Sequence, residues 1–98
     1  MPYLIYAIDY EGKDSLRESL REAHREHLST VGNRLLASGA LLSEDRATVI
    51  GGISLRDTES REEAESFARQ DPFATAGIRR ETHVLYWRRR WWDGHFLS

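Results

Sequence analysis

The chain enters an apolar run at once: residues 3–8 read YLIYAI and stop at the polar segment DYEGKD. Aromatic and β-branched residues bounded by a turn-forming stretch predict a first strand. The spacing then changes. Leu16, Leu20, Ala23, His27 and Val31 recur at three- and four-residue intervals, the pattern of one helical face. Ser15 and Glu18 stand in capping-box spacing at its start, where a serine oxygen and a glutamate can satisfy free backbone donors. Gly32 is the better stop than Gly39, because glycine closes helices in the left-handed conformation and costs about 1 kcal/mol inside one. A helix over 16–31 would be about 24 Å long, comparable with a seven-residue strand.

A second strand is expected over RLLAS (34–38), with Gly39 letting the chain bend, and the polar SEDRA forms a connection. TVIGGISL (48–55) predicts a third strand, whose Gly51-Gly52 pair marks a bulge or another group passing close to the backbone. Ser60 and Glu63 repeat the capping-box spacing, and Ala64, Phe67 and Ala68 give a second, shorter helix its apolar stripe. Pro72 ends that helix, since the residue before a proline is pushed out of helical conformation. ETHVLYW (81–87) predicts the fourth strand. The order β-α-β-β-α-β, without repeats or low-complexity linkers, implies an α+β fold: an antiparallel sheet with both helices on one face, the ferredoxin-like arrangement. One domain over 1–98 is expected, with 91–98 as a C-terminal tail.

Composition narrows the function classes. Hydrophobic residues make up 40% and charged residues 31% of the 98 positions, which suits a globular protein with a small core. A chain this short buries roughly 60–65% of its unfolded surface, so association into a homodimer would help it. The net charge of −2 gives no overall electrostatic case for nucleic acid or an anionic membrane. There is no cysteine, which excludes disulfides and thiolate chemistry. The first apolar run is too short for a signal-peptide core or a membrane span, so a cytoplasmic location is expected.

Two histidines break the apolar stripe of the first helix. At about 100° per residue, His27 falls near its centre and His24 about 40° from Leu20 towards one edge. His27 is therefore the better placed to pack and His24 to reach a cleft. Either ring can be a half-polar filler with one nitrogen bonded to backbone. A functional ring needs a group to hold and charge-compensate it, and Asp71 can supply that from the end of the second helix. A carboxylate there fixes the tautomer and makes the other nitrogen a better base. Asp71 before Pro72 is equally an ordinary helix-ending pair, and spacing alone does not separate the two readings.

The motifs resemble a family. R-x-x-H-x-x-x-L (Arg21, His24, Leu28), LLASG (35–39), the glycine-bearing third strand, S-x-E-E-A (60–64) and DPF-x-x-AG (71–77) are together similar to the YCII-related (YciI-like) proteins. The similarity covers nearly the whole chain, and DPF-x-x-AG is its most specific piece. It implies a ferredoxin-like fold, usually a homodimer with a dimeric α/β barrel-like assembly, and a pocket containing a histidine–aspartate pair. By motif position that pair is His24 and Asp71, while His27 occupies a site where the family tolerates other residues. A few relatives look like dehydrochlorinases or lyases acting on chlorinated ring compounds. The polar 43–48 connection and the RRRWW tail depart from the pattern.

The resulting expectation is a small-molecule enzyme using His24 as general base, oriented by Asp71, with Arg17, His27, Ser38 and Phe73 as substrate contacts. Proton abstraction beside a carbonyl with loss of a leaving group needs no cofactor, and histidine titrates near neutral pH. Arg17, about 60° round the helix from Leu20, can steady an anionic group, although helix-edge arginines are often simply solvated. The alternative is a non-catalytic small-ligand-binding or accessory dimeric domain. A zinc site on His24 and His27 would need Asp71 or His83 brought near, and no metal is expected. A phosphorylated histidine paired with Arg17 finds no glycine-rich phosphate cradle. RNA-recognition domains share the element order but stack bases on third-strand aromatics, and TVIGGISL has none. In the tail, Trp91, Trp92 and Phe96 are expected to cover apolar surface on this subunit or its partner.

Overall fold

The computed structural model describes residues 2–98. Strand β1 (Pro2–Asp9) is followed by helices α1 (Asp14–Ser19) and α2 (Arg21–Ser29), then strands β2 (Leu35–Leu42) and β3 (Val49–Asp57). Helices α3 (Arg61–Gln70) and α4 (Pro72–Thr75), strand β4 (Arg79–Tyr86) and the short strands β5 (Trp91–Trp92) and β6 (His95–Phe96) complete the chain. The main sheet is antiparallel in the order β2-β3-β1-β4. The fold is thus mixed α+β, with an antiparallel sheet and four helices. No described helix is long and apolar enough to cross a membrane.

The period-two geometry of β1 sorts its side chains between two faces. Tyr3, Ile5, Ala7 and Asp9 are buried, while Leu4, Tyr6 and Ile8 are half-buried. Ile5 forms the core with Phe67 and Ala68 of α3, and Leu28, Val31, Leu35 and Val84 pack around them. One sheet face therefore carries both α2 and α3. On the other face Leu4 lies across from Leu55 and Leu85, and Tyr6 from Ile53 and His83. Leu85 is 51% exposed there and Ile53 37%.

Several boundaries differ from the sequence reading. The expected 16–31 helix is two helices, with a break at Leu20 (φ −104°, ψ 6°). Ser19 Oγ donates to the Leu16 carbonyl at 2.8 Å, and such back-bonding from a serine bends helices. The Ser15–Glu18 capping box does not form: α1 begins at Asp14, preceded by Lys13, with no side-chain cap. Asp14 in the first turn instead gives the helix dipole a favourable anion. The stripe is displaced as well, since Leu16 is exposed and α1 and α2 bury no residue fully. Gly32 does stand past the helix end with φ 55°, opening a short 3₁₀ turn (Gly32–Arg34).

Strand β2 does not bend at Gly39 but runs through it, because β3 is long enough to pair Gly39 with Ile53, Ala40 with Gly52 and Leu41 with Gly51. Irregularities between Leu35 and Ala37 and between Leu41 and Leu42 take up the mismatch. In β3, a Cβ on Gly51 would collide with the carbonyl oxygen of Ala7, so close approach of backbone is the reason for glycine there. Ser60 caps α3 by accepting from Glu63 N–H at 3.1 Å. Pro72 both closes α3 and opens α4, at whose first turn a proline lacks nothing the helix needs. The tail forms a hairpin through Asp93 (φ 50°) and Gly94 (φ 78°). Within the chain, Trp91 and Phe96 pair with each other and stay 62% and 60% exposed, while Trp92 is half-buried, edge-on to Trp87.

Gly51→Ala should lower unfolding free energy by about 1–3 kcal/mol through overpacking against β1. Gly39→Ala, whose Cβ would meet nothing within 4 Å, should be neutral or gain roughly 0.5 kcal/mol. Urea melts of the two variants check the contrast.

Candidate active site

The break between α3 and α4 creates the site. Proline at the first position of α4 holds Asp71 outside helical conformation (φ −59°, ψ 129°), where its side chain can cap. Asp71 Oδ1 accepts the Phe73 N–H at 2.9 Å and also lies 2.9 Å from Nδ1 of His24, 47 positions earlier in the chain. Oδ2 accepts from Arg79 Nη2 at 3.1 Å. Asp71 is only 3% exposed. Burial by itself raises its pKa, but the His24 bond, the Arg79 charge and the Phe73 N–H together outweigh that and hold the carboxyl below its usual value. An ionised carboxylate can only accept. The proton between the pair therefore sits on His24 Nδ1, and Nε2 is the basic nitrogen of the ring.

A second charged pair stands beside the first. Arg17 Nε donates to Asp9 Oδ2 at 3.1 Å and Arg17 Nη2 to the Gly51 carbonyl at 3.3 Å. Asp9 Oδ1 and Arg79 Nε are buried without a hydrogen-bond partner. Burial pushes the Asp9 carboxyl up, and the neighbouring Asp71 adds to this, while Arg17 and Arg79 pull it down by less. Burial likewise lowers the pKa of Arg17, against the pull of Asp9. Phe73 links the two pairs. The His24 ring stacks on it at 4.0 Å between centroids and 13° between planes, and the Arg17 guanidinium lies 4.3 Å from its centroid.

A cavity of about 580 Å³ opens here, with His24, Arg17, Arg21, Ser38, Phe73 and Arg79 among its lining residues. Of the residues singled out from the sequence, His24, Arg17, Ser38 and Phe73 share this cavity, and Asp71 holds His24 from behind. His27 does not join them. Its Nε2 donates to the Phe67 carbonyl at 2.8 Å and its ring stacks on Phe67 at 4.6 Å, beside a different depression. The two histidines point to different partners, His83 stacks on Tyr6, and no group of three or more His, Cys, Asp or Glu suited to a metal occurs among the described residues.

Sequence reasoning missed Asp9 and Arg79. The signal for Asp9 was present: it falls in phase with Tyr3, Ile5 and Ala7, so alternation places it inward. Arg79 shows itself only through register, as the cross-strand partner of Asp9.

No curated protein matches the chain. Among solved structures it is similar to the 5-chloro-2-hydroxyhydroquinone dehydrochlorinase TftG of Burkholderia phenoliruptrix AC1100, in complex with 2,5-dihydroxybenzoquinone. The identity is 29% and the TM-score 0.83, over 90% of this chain and 94% of that one. The model of the YCII-related domain matches residues 1–88, and the chain belongs to that family.

Proposed function

We propose that this protein is a small-molecule enzyme of the lyase or dehydrochlorinase type, with His24 as general base and Asp71 as the group that orients it. The observation that carries the reading is the 2.9 Å contact between His24 Nδ1 and Asp71 beside a cavity of about 580 Å³. In a dehydrochlorination the substrate loses a proton and chloride. Nε2 of His24 accepts the proton, and the ionised Asp71 stabilises the imidazolium that forms. Arg17, half-buried against Phe73, supplies positive charge where an oxygen of the substrate becomes anionic. Ser38 offers a hydroxyl on the sheet wall. The dehydrochlorinase similar in fold and its quinone ligand support a ring compound as substrate.

His24→Ala and Asp71→Asn should fold and lose about 10²–10⁴-fold in kcat. Chloride release from chlorinated hydroxyhydroquinones measures it; variants that keep full rates defeat the assignment. The buried carboxylate also predicts a pH dependence. Because the folded-state pKa of Asp71 is depressed, its contribution to stability is present above the unfolded value of about 3.9 and is lost as pH falls through the folded one. The stability gap between the wild type and Asp71→Asn should therefore be wide at neutral pH and close on acidification, as read by urea melts along a pH series.

The strand order β2-β3-β1-β4 with α2 and α3 on one face supports a ferredoxin-like reading of the whole chain as one domain with a C-terminal tail. The open face bearing Leu4, Ile53, Leu55 and Leu85 supports a homodimer in which two sheets face each other in barrel-like fashion. A cytoplasmic location belongs to the same proposal. Leu55→Asp should halve the mass measured by light scattering on a size-exclusion column; a wild type that already runs as a monomer refutes the dimer.

A further inference from the structure

The sheet wall of the cavity carries a feature that the His24–Asp71 pair does not use. Ser38 of β2 and Ser54 of β3 are cross-strand partners with Oγ atoms 2.9 Å apart, and both line the cavity that His24 lines. One hydroxyl donates to the other, so the pair presents one remaining O–H and unfilled lone pairs. The hydroxyl that accepts within the pair is polarised, which strengthens its own O–H as a donor.

Along the strands, the neighbouring pair with the same facing is Ala40 and Gly52. A Cβ on Gly52 would stand 3.3 Å from the Gly39 carbonyl oxygen and 3.8 Å from Arg17 Nη2. Glycine at 52 thus lets the Arg17 guanidinium come close against the sheet, with room for no more than a methyl group between them. The serine pair thus adjoins a floor of small residues, Ala40 and Gly52, flanked by the Arg17 guanidinium, a shape suited to a small ring with an oxygen at its rim.

We propose that Ser38 and Ser54 form an oxygen-recognition subsite, holding a hydroxyl or carbonyl oxygen of a small planar ring bound in the cavity beside Ala40 and Arg17. This rests on the small-molecule reading above and adds to it the substrate class, an oxygen-substituted ring, with Ser54 as a residue that determines specificity. A ring without that oxygen strips water from the free O–H and returns no bond, so the pair selects against it.

The probe is 2,5-dihydroxybenzoquinone, titrated by absorbance into the wild type, Ser38→Ala, Ser54→Ala, the double variant and Ser54→Thr, with thermal melts to confirm folding. Each alanine substitution should weaken binding about five- to tenfold, the loss of one hydrogen bond. The double variant should bind within about twofold of the weaker single one, because the two hydroxyls act as a unit. Ser54→Thr, which keeps the hydroxyl, should restore affinity. Folded alanine variants that bind like the wild type overturn the subsite and leave the general-base assignment standing. Losses that multiply in the double variant overturn the paired arrangement. A wild type that does not bind the quinone overturns the ring class itself, whereas an inactive role for His24 shows up separately in chloride release.

Discussion

A carboxylate with almost no exposure persists only where its partners replace water, and Asp71 has three of them on three elements. The Phe73 N–H ties it to α4, His24 to α2, and Arg79 to the edge strand β4. One side chain therefore closes one helix, opens the next, anchors the histidine-bearing helix and pins the sheet edge. Because those bonds also keep it ionised, the same group that caps α4 dictates the tautomer of His24. Removing one partner of such a buried cluster ordinarily costs about 3–5 kcal/mol, far more than the cluster adds over an apolar substitute. The arrangement is held by geometry, and the chemistry inherits it.

Asp9 shows what fewer bonds do to an otherwise similar carboxylate. It is buried like Asp71 and has an arginine of its own, yet one oxygen has no hydrogen bond and its pKa moves up where that of Asp71 moves down. Desolvation leads in both; the number of donors decides the sign. Asp9 nonetheless fixes Arg17, and Arg17 lies against the ring on which His24 stacks. His24 is thus constrained through its nitrogen by Asp71 and through its face by Phe73. A base held at both points loses little entropy in reaching a reactive pose.

The elements that depend on local pattern were legible in the sequence. The alternation of β1, the apolar stripe and serine cap of α3 and the left-handed Gly32 follow from single segments. The departures come from interactions that no segment contains. β2 passes through Gly39 because β3 supplies partners on the far side, and α1 breaks from α2 where Ser19 bonds back to its own helix. At the site, a helical wheel placed His24 towards the cleft, and the motif resemblance joined it to Asp71. Arg79 and Ser54 were invisible because each matters only through residues distant in the chain, Arg79 through Asp71 and Ser54 through Ser38 opposite it in the sheet.

The first helical segments carry no fully buried side chain, so the usual account of a helix held by its apolar face does not suffice for them. Leu28 and Val31 reach the core, and the remaining attachment is polar: Arg17 to Asp9, His24 to Asp71, His27 to the Phe67 carbonyl. That last carbonyl belongs to the final turn of α3, where backbone acceptors have no helical donor. His27 spends its Nε2 proton there and is structural. His24 spends Nδ1 on Asp71 and retains Nε2 at the cavity. Leucines at both positions would pack the gap between helices and sheet and add stability, and they would also fill the hollow. Two rings of one residue type, held as opposite tautomers, let the same stretch of helix dock against its neighbour while leaving space, and one basic nitrogen, for a ligand.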